Sequence, residues 1–274
     1  MQPGDTFYKI ALANNLPLSE LLAVNAGIDP YKLMIGQMIQ LPKHAQPTKI
    51  TVSAAASLQN SLIALQKYYA LRRPAIRLAF NFGASGALQQ QIEQGAPVDL
   101  FISAGKAQMD ALEQKHLLIN ESRIDLLGND LVLISRKDHG KVTSLEDLTK
   151  ATVSRISIGA PQSVPAGQYA QESLMRLNLW DSIQPKLVLG KDVTSVLNYV
   201  ETGNADAGFV YHTDAQGSTQ VKIVAVIPSN SHKPIVYPAA VISTTKNKQA
   251  AEDFLNYLQS SDAQRVFASY GFKT

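Results

Sequence analysis

The 274-residue sequence contains no cysteine, which excludes disulfides, thiolate zinc sites and thiol catalysis. Charge is sparse: 25 basic and 22 acidic residues make up 17% of the chain and leave a net charge of +3. No basic block or stripe occurs, so nucleic acid is not an expected partner. No apolar run approaches the roughly 20 residues of a membrane span. The opening residues Met1 to Asp5 lack the charged-then-apolar pattern of a secretory leader. What is plentiful is apolar character, 45% of residues, the composition of a folded globular protein. At roughly 150 residues per domain, the length is a little under two domains.

Residues 44–49, a polar stretch containing Pro47, divide two unlike regions. The first carries equal acidic and basic counts. Its pattern predicts a helix from Phe7 to Asn14 capped by Thr6, a second from Glu20 to Asn25 capped by Ser19, and a strand over Gly36–Pro42. The second region alternates β-rich runs with helical ones. Strands are expected at Ile50–Ala54, Ile76–Phe82, Asp99–Ser103, Leu131–Ser135, Arg155–Gly159, Lys186–Leu189, Ala207–Tyr211 and Lys222–Val226. Helices are expected at Leu58–Leu71, Leu88–Glu93, Met109–Lys115, Ala170–Leu177, Val196–Val200 and, as a single tail, Lys248–Tyr270. Such alternation implies parallel sheets covered by helices. Ligands then bind beyond the carboxyl ends of the strands.

Five strand-to-helix turns share one chemistry: small residues, hydroxyls and free backbone N–H groups, with no charge at the core. They are Ser53–Leu58, Gly83–Ala87, Ser163–Gly167, Asp192–Ser195 and Gly208–Asp214. Ser57 is placed to cap the following helix and present its hydroxyl. Helix N-termini carry orphan N–H groups and about half a positive charge each. Several converging on one cavity make an anion site without Lys or Arg. Each turn taken alone is equally what ordinary capping produces. The residues by themselves therefore define an α/β protein that could take a small anion.

Other candidates are weaker. Gly83-Ala84-Ser85-Gly86 misses the G-x-S-x-G spacing of a nucleophile elbow. His116, His139, His212 and His232 lack metal-ligand spacing. Asp99 is expected to make a loop hydrogen bond near a strand start, and Trp180 with Tyr68-Tyr69 to serve packing. No nucleophile–base pair presents itself, so an enzyme is not expected, nor is any cofactor.

The runs Ala54-Ala55-Ala56-Ser57-Leu58, Gly83-Ala84-Ser85-Gly86 and Gly95-Ala96-Pro97-Val98-Asp99-Leu100-Phe101-Ile102-Ser103-Ala104 resemble the molybdate-binding proteins of ABC importers. The order continues through Leu127-Gly128-Asn129, Val164-Pro165-Ala166-Gly167-Gln168-Tyr169-Ala170, Asp192-Val193, Gly208-Phe209-Val210-Tyr211 and Tyr270-Gly271-Phe272, covering about residues 49–273. The resemblance implies an α/β, two-lobed periplasmic-binding-protein fold of type II, with parallel or mixed sheets flanked by helices and a two-strand hinge. Lobe 1 would span about 49–128 and 232–274, and lobe 2 about 129–231. It also implies an oxyanion held by Ser57 and Ser85, by backbone N–H groups of Ala166 and Val193, and by the Tyr211 phenol. Thr194 stands where many relatives carry a basic residue, but the family contact is the backbone of Val193. The ligand would be bound as an oxyanion, with no protein atom coordinating the metal.

Residues 1–43 resemble a LysM module, a small α+β glycan binder. The resemblance rests on Gly4-Asp5-Thr6-Phe7-Tyr8-Lys9-Ile10-Ala11, Leu21-Leu22-Ala23-Val24-Asn25 and Ile28-Asp29-Pro30. It places a glycan groove at Asp5, Thr6 and Phe7 with Gly27, Ile28 and Asp29. Only Met1, Gln2 and Pro3 stand where the module's first strand belongs, so that strand is read as clipped, with a secretion signal upstream. The function implied is extracytoplasmic capture of molybdate or tungstate, as a monomer, for an ABC permease. Peptidoglycan docking by LysM would hold it at the wall. The alternatives are a carrier of sulfate or another tetrahedral oxyanion, or a cell-wall glycan-binding protein.

Overall fold

The structure, a computed structural model, describes residues 5–13, 16–42, 47–138 and 140–274. The chain divides into two compact units, Met1–Pro47 and Thr48–Thr274. The expectations for Met1–Gly4, Asn14, His139 and residues 44–46 of the break lie outside the described residues.

The first unit holds α1 (Phe7–Ala13) and α2 (Leu18–Ala23). Thr6 Oγ1 accepts from the Lys9 N–H at 3.1 Å, the expected cap. Phe7, Ala11, Leu16 and Leu21 form the core, with Ile28, Leu33 and Ile39 packed against it. Two expectations are corrected. Helix α2 starts at Leu18 after Pro17, whose fixed φ sets the helix entry, so Ser19 does not cap it. No strand occurs among the described residues of this unit, Gly36–Pro42 included. A strand needs a second backbone beside it; the Asn25 amide fills that role instead. Asn25 Nδ2 donates to Gln40 O at 2.6 Å, and Gln40 N–H donates to Asn25 Oδ1 at 2.8 Å.

The second unit runs β1 (Thr48–Ala55), a 3-10 turn at Ala56–Leu58, α3 (Gln59–Arg72), β2 (Ile76–Gly83), α4 (Ser85–Glu93), β3 (Leu100–Ile102), α5 (Lys106–Gln114) and β4 (Ile124–Gly128). It continues with β5 (Leu131–Arg136), β6 (Ile156–Gly159), α6 (Pro165–Arg176), α7 (Trp180–Ile183), β7 (Leu187–Gly190), α8 (Val193–Glu201), β8 (Ala207–Tyr211), α9 (His212–Gln216) and β9 (Val221–Val226). Strand β10 (Val236–Val241) and helices α10 (Lys248–Leu258) and α11 (Ser261–Ser269) close it.

These strands build two five-stranded sheets, ordered β2-β1-β3-β10-β4 and β7-β6-β8-β5-β9. Each sheet is the centre of one lobe. Ile50, Val52, Ala54 and Ala55 of β1 are all buried, as a strand covered on both faces requires. The sheets are mixed rather than wholly parallel: β10 runs antiparallel to β3 and β4, and β5 antiparallel to β8 and β9. The chain crosses between lobes after β4 and again before β10. The expected helical tail is two helices, because Ser260 breaks it and caps α11 by accepting from Ala263 N–H at 3.3 Å.

The helices at the cleft begin earlier than hydrophobic periodicity suggests. Helix α4 starts at Ser85 rather than Leu88, α6 at Pro165 rather than Ala170, and α8 at Val193 rather than Val196. Their first turns are small or polar and so lack an apolar stripe. Pro165 at the first position of α6 costs no hydrogen bond. Gly167 lets that turn pack on β6: a Cβ there would sit 1.9 Å from Gly159 O. Asp192 caps α8 by accepting from the Ser195 N–H and hydroxyl, both at 2.7 Å.

Candidate functional site

The five turns meet. One small cavity is lined by Ser57, Ser85 and Ala104 from the first lobe and by Ala166, Val193 and Tyr211 from the second. No charged residue lines it. Its water-accessible volume is about 10 Å3, close to the space of a single water. Ala166 and Val193 stand in the first turns of α6 and α8, where N–H groups have no intrahelical acceptor. Ser85 opens α4, and Ser57 lies in the 3-10 turn ahead of α3.

The hydroxyls are held from behind. Ser85 is fully buried, and its Oγ accepts the Ala104 N–H at 3.0 Å, which leaves its own proton free for a ligand. Ser57 makes no helix cap, contrary to expectation. Its Oγ lies 3.0 Å from the Tyr237 hydroxyl of β10. Tyr211, 1% exposed, donates weakly to Ala104 O at 3.3 Å, and its ring packs on Tyr237 with centroids 5.6 Å apart. Burial raises both phenols well above the usual tyrosine range. Both therefore stay protonated, as a donor to an anion must.

The two lobes touch at the rim of this cavity. Gly86 N–H donates to Ser163 O at 2.9 Å, and a Cβ on Gly86 would lie 2.7 Å from that oxygen. Gln108 Nε2 reaches Gln168 Oε1 at 3.5 Å. Behind Tyr211, Asp214 Oδ2 accepts the Tyr211 N–H at 3.1 Å. Burial pushes its carboxyl up to about 7, the Tyr211 N–H draws it down, and the Asp192 charge raises it again. Asp214 and Glu201 line an adjoining cavity of about 490 Å3, which shares Ala56 and Ser57 with the small one. The larger cavity thus carries two carboxyl groups, whereas the small one is uncharged.

The comparisons follow this geometry. The model of the bacterial extracellular solute-binding protein family matches residues 50–273. The chain belongs to that family. A LysM domain model matches residues 2–42. The molybdate-binding protein of Haemophilus influenzae is 44% identical over 232 residues, covering 83% of this chain and 91% of that protein. A molybdate-binding protein of Escherichia coli is 39% identical, covering 83% of this chain and 90% of that protein. The Azotobacter vinelandii periplasmic molybdate-binding protein aligns with a TM-score of 0.75 at 26% identity, covering 82% of this chain and 99% of that one. The fold is accordingly the two-lobed periplasmic-binding-protein fold.

The remaining candidates fall elsewhere. Asp99 acts as expected: its carboxylate accepts from Thr51 N–H at 2.7 Å and from the Thr245 hydroxyl at 2.5 Å. Trp180 and Tyr69 pack into the core, but Tyr68 is 56% exposed, a correction to its packing role. Of the glycan-groove residues, Thr6 and Phe7 stand at the start of α1, with Asp5 just before them, while Gly27, Ile28 and Asp29 follow α2. Phe7 is 3% exposed, so its side chain serves the core and offers no glycan surface. Asp29 Oδ1 accepts from Tyr31 N–H. Two residues behind Ser57 were not singled out individually by sequence: Asn129, seen only within Leu127-Gly128-Asn129, and Tyr237, hidden beside Pro238 in a run that proline argues against.

Proposed function

We propose that the second unit captures molybdate or tungstate between its lobes, outside the cytoplasm, and delivers it to an ABC permease. Ser57 and Ser85 donate hydroxyl protons, Tyr211 turns its hydroxyl from its long bond with Ala104 O to the anion, and Ala166 and Val193 donate backbone N–H groups. The observation that carries this reading is the convergence of these five groups on one uncharged cavity, which at about 10 Å3 must widen between the lobes to seat the anion. The named function of the similar proteins supports it. The chain acts by binding, not catalysis, and as a monomer.

The energetics are adequate. A hydrogen bond to a charged group contributes about 1.5–3 kcal/mol. Six such donors, counting the Ser57 N–H, give on the order of 10–18 kcal/mol before ordering costs, and nanomolar affinity needs about 12. Near neutral pH the dianion carries no proton and wants donors alone. Phosphate retains a proton that needs an acceptor, and no carboxylate lines the cavity. Sulfate matches in charge and differs in size, so it must be excluded by fit.

Thermal unfolding tests the reading. Molybdate at about 1,000 times its Kd stabilises by about 4.1 kcal/mol, and a Tyr211→Phe variant gives a much smaller shift. An unchanged melting temperature with molybdate and tungstate contradicts it.

A second role for the first unit rests on its exposed apolar side chains. Tyr31 is 95% exposed, Met38 91% and Ile35 73%, a surface suited to stacking on sugar rings. LysM docking to peptidoglycan would then hold the carrier at the wall. Failure of the whole chain to co-sediment with peptidoglycan counts against it.

A further inference from the structure

One amide assigns a direction to the hydrogen bonds behind Ser57, where either hydroxyl of the Ser57–Tyr237 pair can donate. Asn129 sits at the crossover from β4 to β5 and is 5% exposed. Its Oδ1 accepts the Asp130 N–H at 2.9 Å, which fixes the orientation of the amide and sets Nδ2 on the opposite side. The two Nδ2 protons go to Tyr237 Oη at 3.2 Å and Thr213 Oγ1 at 3.0 Å. The Tyr237 oxygen, fully buried, therefore accepts from Asn129. Its own proton is left to donate, and Ser57 Oγ lies 3.0 Å away. Once Ser57 accepts that proton, its own O–H points away from Tyr237. Ser57 lines both the small cavity and the adjoining larger one, and we assign the freed O–H to the small cavity, where Ser85 and Tyr211 also stand.

We propose that Asn129 and Tyr237 are positioning residues that order the hydroxyl protons, so that Ser57 meets the oxyanion as a donor. This rests on the oxyanion reading of the cavity. The same logic holds at Ser85, where the Ala104 N–H occupies the hydroxyl oxygen and frees its proton. Both serine oxygens are thus engaged from the protein side, and the ligand meets protons. Such a site suits a fully deprotonated anion and has no place for a protonated one. Asn129 lies in the first crossing between lobes and Tyr237 near the start of β10, just after the second, so the hydrogen-bond chain behind Ser57 ties the two crossings together.

A double-mutant cycle in the whole chain tests this, with molybdate as the probe and calorimetric Kd as the readout. Tyr237→Phe keeps the buried ring and removes only the hydroxyl. In the Ser57 background it weakens molybdate binding roughly three- to tenfold. In the Ser57→Ala background it has no further effect, because Tyr237 acts through the Ser57 hydroxyl. Asn129→Asp gives a second route: it keeps the acceptor for Asp130 N–H and replaces the donor to Tyr237 with another acceptor. Its penalty is likewise larger with Ser57 present than with Ala at that position. Equal losses in both backgrounds, with wild type binding tightly, overturn the relay and leave the oxyanion site standing. Wild type that binds neither molybdate nor tungstate overturns the site and the relay together.

Discussion

The Gly86 N–H of one lobe donates to the Ser163 carbonyl of the other at 2.9 Å. The lobes thus meet backbone to backbone beside the cavity, and only glycine permits it. An added Cβ would sit 2.7 Å from Ser163 O and 2.8 Å from its Cα, with no flexible side chain to give way. Gly86→Ala is expected to hold the lobes apart and weaken molybdate binding at least tenfold. Circular dichroism of the anion-free variant should match wild type. Small-angle scattering should show a smaller ligand-induced compaction.

Ser85→Ala removes a proposed ligand donor and strands the buried Ala104 N–H. An unsatisfied buried donor costs about 1–3 kcal/mol. The variant should melt lower and bind molybdate ten- to a hundredfold more weakly, read by denaturant unfolding and calorimetry. Peptidoglycan co-sedimentation, if the whole chain shows it, should be unaffected. Unchanged anion affinity would remove Ser85 from the site.

Asp214 gives stability a pH dependence of definite sign. Its carboxyl is raised from 3.8 to about 7 in the folded chain, chiefly by burial. The folded state therefore holds this proton more tightly than the unfolded state. Its contribution is fully present below about pH 4 and is lost as pH rises through 7. Asp214→Asn keeps the acceptor for the Tyr211 N–H. The variant should gain about 1–2 kcal/mol over wild type between pH 5 and 8, allowing for screening through the adjoining cavity. Parallel urea titrations across that range check it, and a constant difference between the two proteins contradicts it.

Asp192 caps α8 beside the Val193 N–H. Asp192→Ala should cost about 0.5–2 kcal/mol of stability. It also removes a negative charge close to the anion, so affinity should fall less than stability does. Paired melting and titration experiments separate the two effects.

The sequence carries the site more fully than the fold. Small and hydroxyl residues at strand ends mark the five turns, the family resemblance singles out Ser57, Ser85, Ala166, Val193 and Tyr211 within them, and the structure draws these five around one cavity. The β8 run Ala207–Tyr211 is legible to the residue because it is apolar, β-rich and ends at a capping turn. Strands β4 and β10 are not legible. Both are short crossover strands, and Pro238 interrupts β10 where its register shifts against β4. Helix starts are misplaced wherever the first turn faces the cleft, since a first turn of small and polar residues carries no apolar stripe. Ser57 reads as a cap because caps and ligand hydroxyls use the same residue. Only its partner Tyr237, 180 residues away, tells them apart.

The most direct test is a calorimetric titration of dialysed, anion-free protein with molybdate, then tungstate, sulfate and phosphate. The account predicts tight one-to-one binding of molybdate or tungstate, with sulfate and phosphate giving no heat at the same concentrations. A folded protein that gives no heat with molybdate or tungstate would contradict it.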